Sequence, residues 1–325
     1  MSNVERDPDE VEVEPQERAD APAVEVLTPR EVPLGGPRAM TVRRTLPQRG
    51  RSLIGAWCFA DHYGPDDVAS TGGMSVAPHP HTGLATVSWL FSGEVEHRDS
   101  LGTHALVRPG ELNLMTAGHG VSHSEISTET TTVLHGAQLW VALPEGARDA
   151  EAAFAHHAPE PLTGEGWRAS VFLGSLLGVT SPVETATPLL GAEVTLEPGV
   201  RLDLEVDPAY EHGVLVDSGG VEVAGQDVAR HELAYVAPGS TSLGLTALGD
   251  DPVRVLLLGG PPFGEPIVMW WNFVGRTHEE VVAARDAWQA QLGDGVQVDG
   301  RFGTVSEMPP IPAPALPGVR LRSRG

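Results

Sequence analysis

The chain has 325 residues, 41% of them apolar, and its 38 glycines and 28 prolines break it at short intervals. That is long for one ordinary domain, enough for two cores, and suited to many short strands joined by turns. A formal charge of −23 with no lysine disfavours a nucleic-acid or polyphosphate partner, since such ligands need a basic face. The single cysteine, Cys58, excludes an internal disulfide framework and a cysteine-rich zinc site, and reads as a packed core residue.

Residues 1–22 are acidic, carry prolines and lack an apolar period, so a disordered leader is expected there. They have neither the basic start nor the apolar run of a signal peptide or membrane anchor, and a cytoplasmic chain with no membrane contact is expected. From Ala23 short apolar or alternating runs follow one another between turn signals: "AVEVL", "GAWCFADHYGP", "LATVSWLFSGEVEHRDS", "HALVRPGELNLMTAG" and "VLHGAQLWVALP". A polar, Ala-rich stretch near residues 144–166 reads as a connection, after which strands resume with "RASVFLGSLLG" and "GAEVTLEPGVRLDLEV". Helical signal is concentrated in "THEEVVAARDAWQAQLGDG". There Thr277 can cap, Glu280 follows three residues on, and Val281, Ala284, Trp288 and Leu292 share a face. The Pro-rich end of the chain reads as an extended arm. The expected divisions are a leader over 1–22, a first barrel over 23–160, a second barrel with its closing helix over 161–292, and a tail over 293–325.

A weak internal repeat supports two copies of one β-barrel unit: "SGEVEH…RPGELNLMTAG" from Ser92 is echoed by "SGGVEV…ARHELAYVAPG" from Ser218. In the first copy His79 and His81 stand two apart in a strand-like run, and His123 and Glu125 stand two apart in another. Residues at that spacing share a face, so two strands of one barrel can aim three imidazoles and one carboxylate at a common point. Such donors suit iron, copper, nickel or zinc, with manganese a further possibility, and residue type alone does not choose among them. On the same parity Ala85, Val87, Trp89 and Phe91 are expected to wall the pocket. The bland alternative is a set of hydrogen-bonded core histidines. His119, in a Gly-x-Gly loop, is a candidate for the pocket rim, while His97, His104, His135, His156 and His157 read as structural or exposed. In the second copy the corresponding positions fall near Glu205, Asp207, Gly244 and Thr246, with no imidazole among them, so a metal is expected in the first barrel alone.

Without lysine there is no P-loop lysine or Schiff base, and neither a Gly-x-Ser-x-Gly elbow nor a His-Glu-x-x-His run is present. "HPHTGLATVSWLFSGEVEHRDSLG" followed by "RPGELNLMTAGHGVSHSE", with "CFADHYGP" upstream and "GEPIVMWWNFVGRTHEEVVAARDAW" downstream, resembles the pirin family of the cupin superfamily over about Pro33 to Leu292. The resemblance implies an all-β bicupin, two jelly-roll barrels in one chain with a short C-terminal helix, and iron(II) held by His79, His81, His123 and Glu125. It departs from many relatives at "HTGLAT", where no glutamate follows the His-x-His pair, and at His119, where arginine is common. Some pirin-like proteins resemble quercetin 2,3-dioxygenases, which implies dioxygenation of a small aromatic flavonol by O2, with Glu125 as ligand and proton acceptor. The rival expectation is a redox-responsive iron protein that binds a partner enzyme or transcription factor without turnover.

Overall fold

The computed structural model describes residues 24–34, 40–293, 296–305 and 308–323; the expected acidic leader lies outside them. The chain forms two β-barrels, each made of a four-stranded sheet facing a seven-stranded one. In the first barrel the small sheet runs Ser75–His81, Val121–Ser127, Val95–Asp99, His104–Val107. Its counterpart in the second runs Arg201–Glu205, Ser242–Leu248, Gly220–Val223, Gln226–Val228. The order is the same, as the internal repeat requires: the strand bearing His79 and His81 corresponds to Arg201–Glu205, and the strand bearing His123 and Glu125 to Ser242–Leu248.

The seven-stranded sheets also match, with one exchange at the edge. Val24–Leu27, expected in the first barrel, instead pairs antiparallel with Leu233–Val236 of the second. Ala153–His157 holds the equivalent place beside Leu112–Thr116 in the first barrel.

These two large sheets pack against each other through their outer faces. Ala85, Val87, Trp89, Leu139 and Val141 from one meet Phe172, Leu215, Tyr235, Leu256 and Leu258 from the other. Trp89 stacks on Phe172 with ring centroids 4.5 Å apart, and its indole N–H donates to Glu193 Oε2 at 2.7 Å. Ala85, Val87, Trp89 and Phe91 therefore belong to the junction between barrels and do not wall the metal pocket as the strand parity suggested. The cause is local: the strand Ser75–His81 ends at Thr82-Gly83, and Leu84–Ser92 starts a new strand in the other sheet. Gly83 has φ +68°, and a Cβ there would lie 2.2 Å from the carbonyl oxygen of Val274, so the turn admits only glycine.

The C-terminal helix covers the expected span, His278–Gln291, with Thr277 Oγ1 accepting the Glu280 amide at 3.2 Å. Its inner face, Val281, Ala284 and Trp288, packs on Trp271, Phe273 and Phe302. This layer lies against the first barrel: Val274 N–H donates to Thr82 O at 3.0 Å, and Ile311 N–H to Pro78 O at 2.8 Å. The helix and the extended tail thus lean on the strand that carries the His-x-His pair. No helix among the described residues is long and apolar enough to cross a membrane.

Candidate metal centre

The interiors of the two barrels differ in kind. The second is filled with hydrocarbon from both sheets, including Val194, Leu204, Val214, Val216, Val221, Leu243, Leu245 and Leu257. The first holds His79, His81, His123, Glu125 and His97, all buried. In the antiparallel register His123 lies opposite His79 on one side and Asp99 on the other. The unbroken pairing with Val95–Asp99 sets Glu125 opposite His97, while on the other side a register shift between His123 and Glu125 sets it opposite Val76.

One donor nitrogen from each of His79, His81 and His123 lies within 4.8 Å of the others, and the donors of His97, His123 and Glu125 form a second such group. His123 is common to both, so it joins the three imidazoles to the carboxylate. His79 Nδ1 contacts Ala77 O at 2.8 Å, which fixes the proton on Nδ1 and leaves Nε2 as a buried lone pair without a hydrogen-bond partner. His81 Nε2 and His123 Nε2 face each other at 3.0 Å. Burial pushes the His79 imidazole down to about 4. His81 and His123 are held well below the ordinary histidine range, first by burial and then by the neighbouring imidazoles. At neutral pH the three rings are therefore uncharged and present lone pairs to one another, a donor set that a divalent cation satisfies.

His97, which read as structural or exposed, is in fact buried beside this cluster. His123 Nδ1 and His97 Nδ1 are 3.3 Å apart, and His97 Nε2 is 3.2 Å from Asp99 Oδ2. With Asp99 accepting from His97 Nε2–H, His97 Nδ1 accepts from His123 Nδ1–H, which leaves the His123 Nε2 lone pair facing His81. This chain is the outer support that a metal-binding imidazole needs to hold one tautomer. The "HRD" spacing of His97 and Asp99 on one strand face was the available signal. Ser88 Oγ lies 3.5 Å from Glu125 Oε1 and 2.9 Å from Gln138 Oε1, and Trp140 meets the His81 ring edge-on. Phe59 stacks on Trp140 at 4.0 Å. These residues, not Val87 and Trp89, surround the cluster.

The other candidates fall elsewhere. His104 is exposed and pairs with Glu96. His119 is exposed on its loop, where its backbone carbonyl accepts from Arg301. His156 is bonded to Asn113 Oδ1 at 2.7 Å and lies on the edge strand with His157. Cys58 is fully buried, and burial pushes its thiol up to about 12.

Two antiparallel barrels of this order, with a histidine cluster in one of them, define a bicupin with a potential metal centre in its N-terminal half. Residues 39–141 match the Pirin family and residues 191–292 the Pirin C-terminal cupin domain. The chain is 45% identical over 294 residues to a putative quercetin 2,3-dioxygenase of Pseudomonas aeruginosa, an alignment covering 90% of each protein. It is 37% identical over 260 residues to a pirin-like protein of Caulobacter vibrioides, covering 77% of this chain and 88% of the relative. The crystal structure of quercetin 2,3-dioxygenase from Acinetobacter baumannii superposes with a TM-score of 0.84 at 35% identity, covering 92% of this chain and 97% of that one. The chain belongs to the pirin family.

Proposed function

We propose that this chain is an iron-dependent dioxygenase acting on quercetin-like flavonols or related enolic aromatics, with His79, His81, His123 and Glu125 as the metal ligands. The observation that carries the reading is the grouping of three buried neutral imidazoles, two of them with an orphaned nitrogen; the third, His123, also adjoins the Glu125 carboxylate. The family membership and the names of the similar proteins support the substrate class. When bound, iron(II) would supply Lewis acidity and the one-electron chemistry that O2 requires. The protein's part is to hold donors and move a proton. His79 is fixed in one tautomer by Ala77 O, and His123 is oriented through His97 and Asp99. Glu125 accepts the proton of the substrate's 3-hydroxyl, and Ser88 is placed to support its carboxylate.

A second reading is favoured by the burial of all four groups, each 2% exposed or less. A closed site suits a redox-responsive protein that reports its metal state to a protein partner and turns nothing over. Oxygen uptake by iron(II)-loaded protein across a flavonol panel separates the two. The dioxygenase reading expects uptake with at least one flavonol, and a fall of about 100- to 10,000-fold per bound iron in Glu125→Gln. No uptake with any flavonol would overturn it and leave the closed-site reading.

A further inference from the structure

A second cluster of donors stands outside both barrel interiors, where the large sheets meet. His62 lies on the strand Trp57–Asp67 and His135 on Val133–Ala142, both of the first barrel; Asp217 lies on Glu211–Ser218 of the second. Two of the three stand beside irregularities in pairing. The register breaks beside His135 on both of its neighbours. On the second barrel it breaks between Val216 and Ser218, so that Asp217 is the extra residue. Asp217 shares the parity of Leu215, which also faces the junction. Val214 and Val216 pack inside the second barrel, whereas the Asp217 carboxylate reaches the first.

Asp217 Oδ1 is 2.7 Å from His62 Nε2 and 2.5 Å from His135 Nε2, and the three donor atoms form a compact group. The His62 and Asp217 side chains are buried, and that of His135 is 11% exposed at the rim. His135 Nε2, for all its closeness, makes no aligned hydrogen bond. A further histidine adjoins them: the His231 ring centroid is 5.1 Å from that of His62, and His231 Nδ1 is buried without a partner. His231 also has φ +73°, a left-handed conformation that costs a non-glycine residue about 1–3 kcal/mol and tends to persist where surrounding structure enforces it. Its amide donates to Val216 O at 2.8 Å, next to Asp217. Burial lowers the basicity of His62 and His231, so both rings are neutral donors at pH 7. The opposing factor is Arg254, whose guanidinium is 3.3 Å from Asp217 Oδ2. It occupies the other carboxylate oxygen and leaves Oδ1 to the imidazoles, while Arg230 Nε holds the Asp217 backbone carbonyl at 3.0 Å.

We propose that His62, His135 and Asp217 form a second divalent transition-metal site, one that bridges the two barrels. Two imidazole nitrogens and one carboxylate oxygen are a donor set for zinc-like ions and not for magnesium or calcium. Donors on a tetrahedral ion with bonds of about 2.0–2.1 Å stand about 3.3 Å apart, so the rings must withdraw from the carboxylate by less than ~1 Å to admit it. The rim position of His135 gives the ion access from solvent, and His231 stands ready as a further donor.

The test uses full-length protein stripped of metal and dialysed against a small excess of Zn2+, with metal content then measured per chain. Two ions are expected in wild type, one in His135→Gln, one in His123→Ala, and none retained in the double variant. His135→Gln is preferred to a change at the more deeply buried Asp217 because the rim position tolerates it. A thermal shift supplies a second readout: Zn2+ should raise the melting temperature of His123→Ala, whose remaining donor cluster among the described residues is the junction, and should leave the double variant unmoved. A wild-type metal content that His135→Gln retains in full would overturn the proposal, as would an equal Zn2+ shift in His123→Ala and the double variant; a single wild-type ion lost in His135→Gln and kept in His123→Ala would uphold the junction site and count against the first-barrel one.

Discussion

The two barrels share a strand order and differ in what fills them. In the second, the strands Arg201–Glu205 and Ser242–Leu248 turn Leu202, Leu204, Leu243 and Leu245 inward. In the first, the equivalent strands turn histidines and a glutamate inward. One architecture can therefore hold hydrocarbon, which stabilises it directly, or a polar cluster, which is costly to bury unless a partner satisfies it. In the first barrel a metal is the partner that fits. The two interiors divide accordingly: the second barrel is packed with hydrocarbon, and the first carries the candidate metal centre.

The sharpest way to break this comparison is to exchange the effects. His79→Ala, His81→Ala or His123→Ala should weaken metal binding by more than the roughly 100-fold upper range for an outer-shell residue, because each removes a donor itself. Metal analysis on a His135→Gln background, where the junction donors are disabled, reads this directly. Leu245→Ala in the second barrel should do the reverse, costing about 2–5 kcal/mol in denaturant unfolding with metal content per folded chain unchanged. A Leu245→Ala protein that lost metal while folded would mean that the barrels are not separable in this way.

A smaller effect sharpens the account of the first barrel. His97→Ala leaves all four proposed ligands in place but removes the link between His123 and Asp99, so affinity should fall about 10- to 100-fold. His104→Ala, at an exposed position, should change nothing. Equal affinities in wild type and His97→Ala would remove His97 from the support of the site. The smallest expected effect is at Cys58: with its thiol buried and pushed up to about 12, native protein at pH 8 should not react with a thiol reagent, whereas denatured protein should react with one equivalent. Rapid labelling of the native state would contradict the packing around this strand.

The sequence was most legible where structure depends on near neighbours. The pair spacing in "HPH" and "HSE" located the buried histidines, and Thr277 with Val281, Ala284 and Trp288 located the helix; the repeat located the equivalent strands but named Glu205, Asp207, Gly244 and Thr246 where Leu202, Leu204, Leu243 and Leu245 face inward. It was misleading where distant segments decide. Parity carried from His81 through Val87 and Trp89 failed because Gly83 turns the chain into another sheet, against a carbonyl of Val274 some 190 residues away. His97 lacked a histidine partner on its own strand, and its role appears only when the strands Val95–Asp99 and Val121–Ser127 pair. His62, His135 and Asp217 lie far apart in the chain and meet only because two folded barrels dock.

The central claim is that a metal sits inside the first barrel among the three histidines and Glu125. Anomalous diffraction at the iron edge from crystals of iron(II)-loaded protein tests it most directly. The account predicts a peak within bonding distance, about 2.0–2.3 Å, of His79 Nε2, His81 Nε2, His123 Nε2 and a Glu125 oxygen. Fully loaded protein with no peak at that position, or with a peak there that Glu125 does not touch, would contradict it.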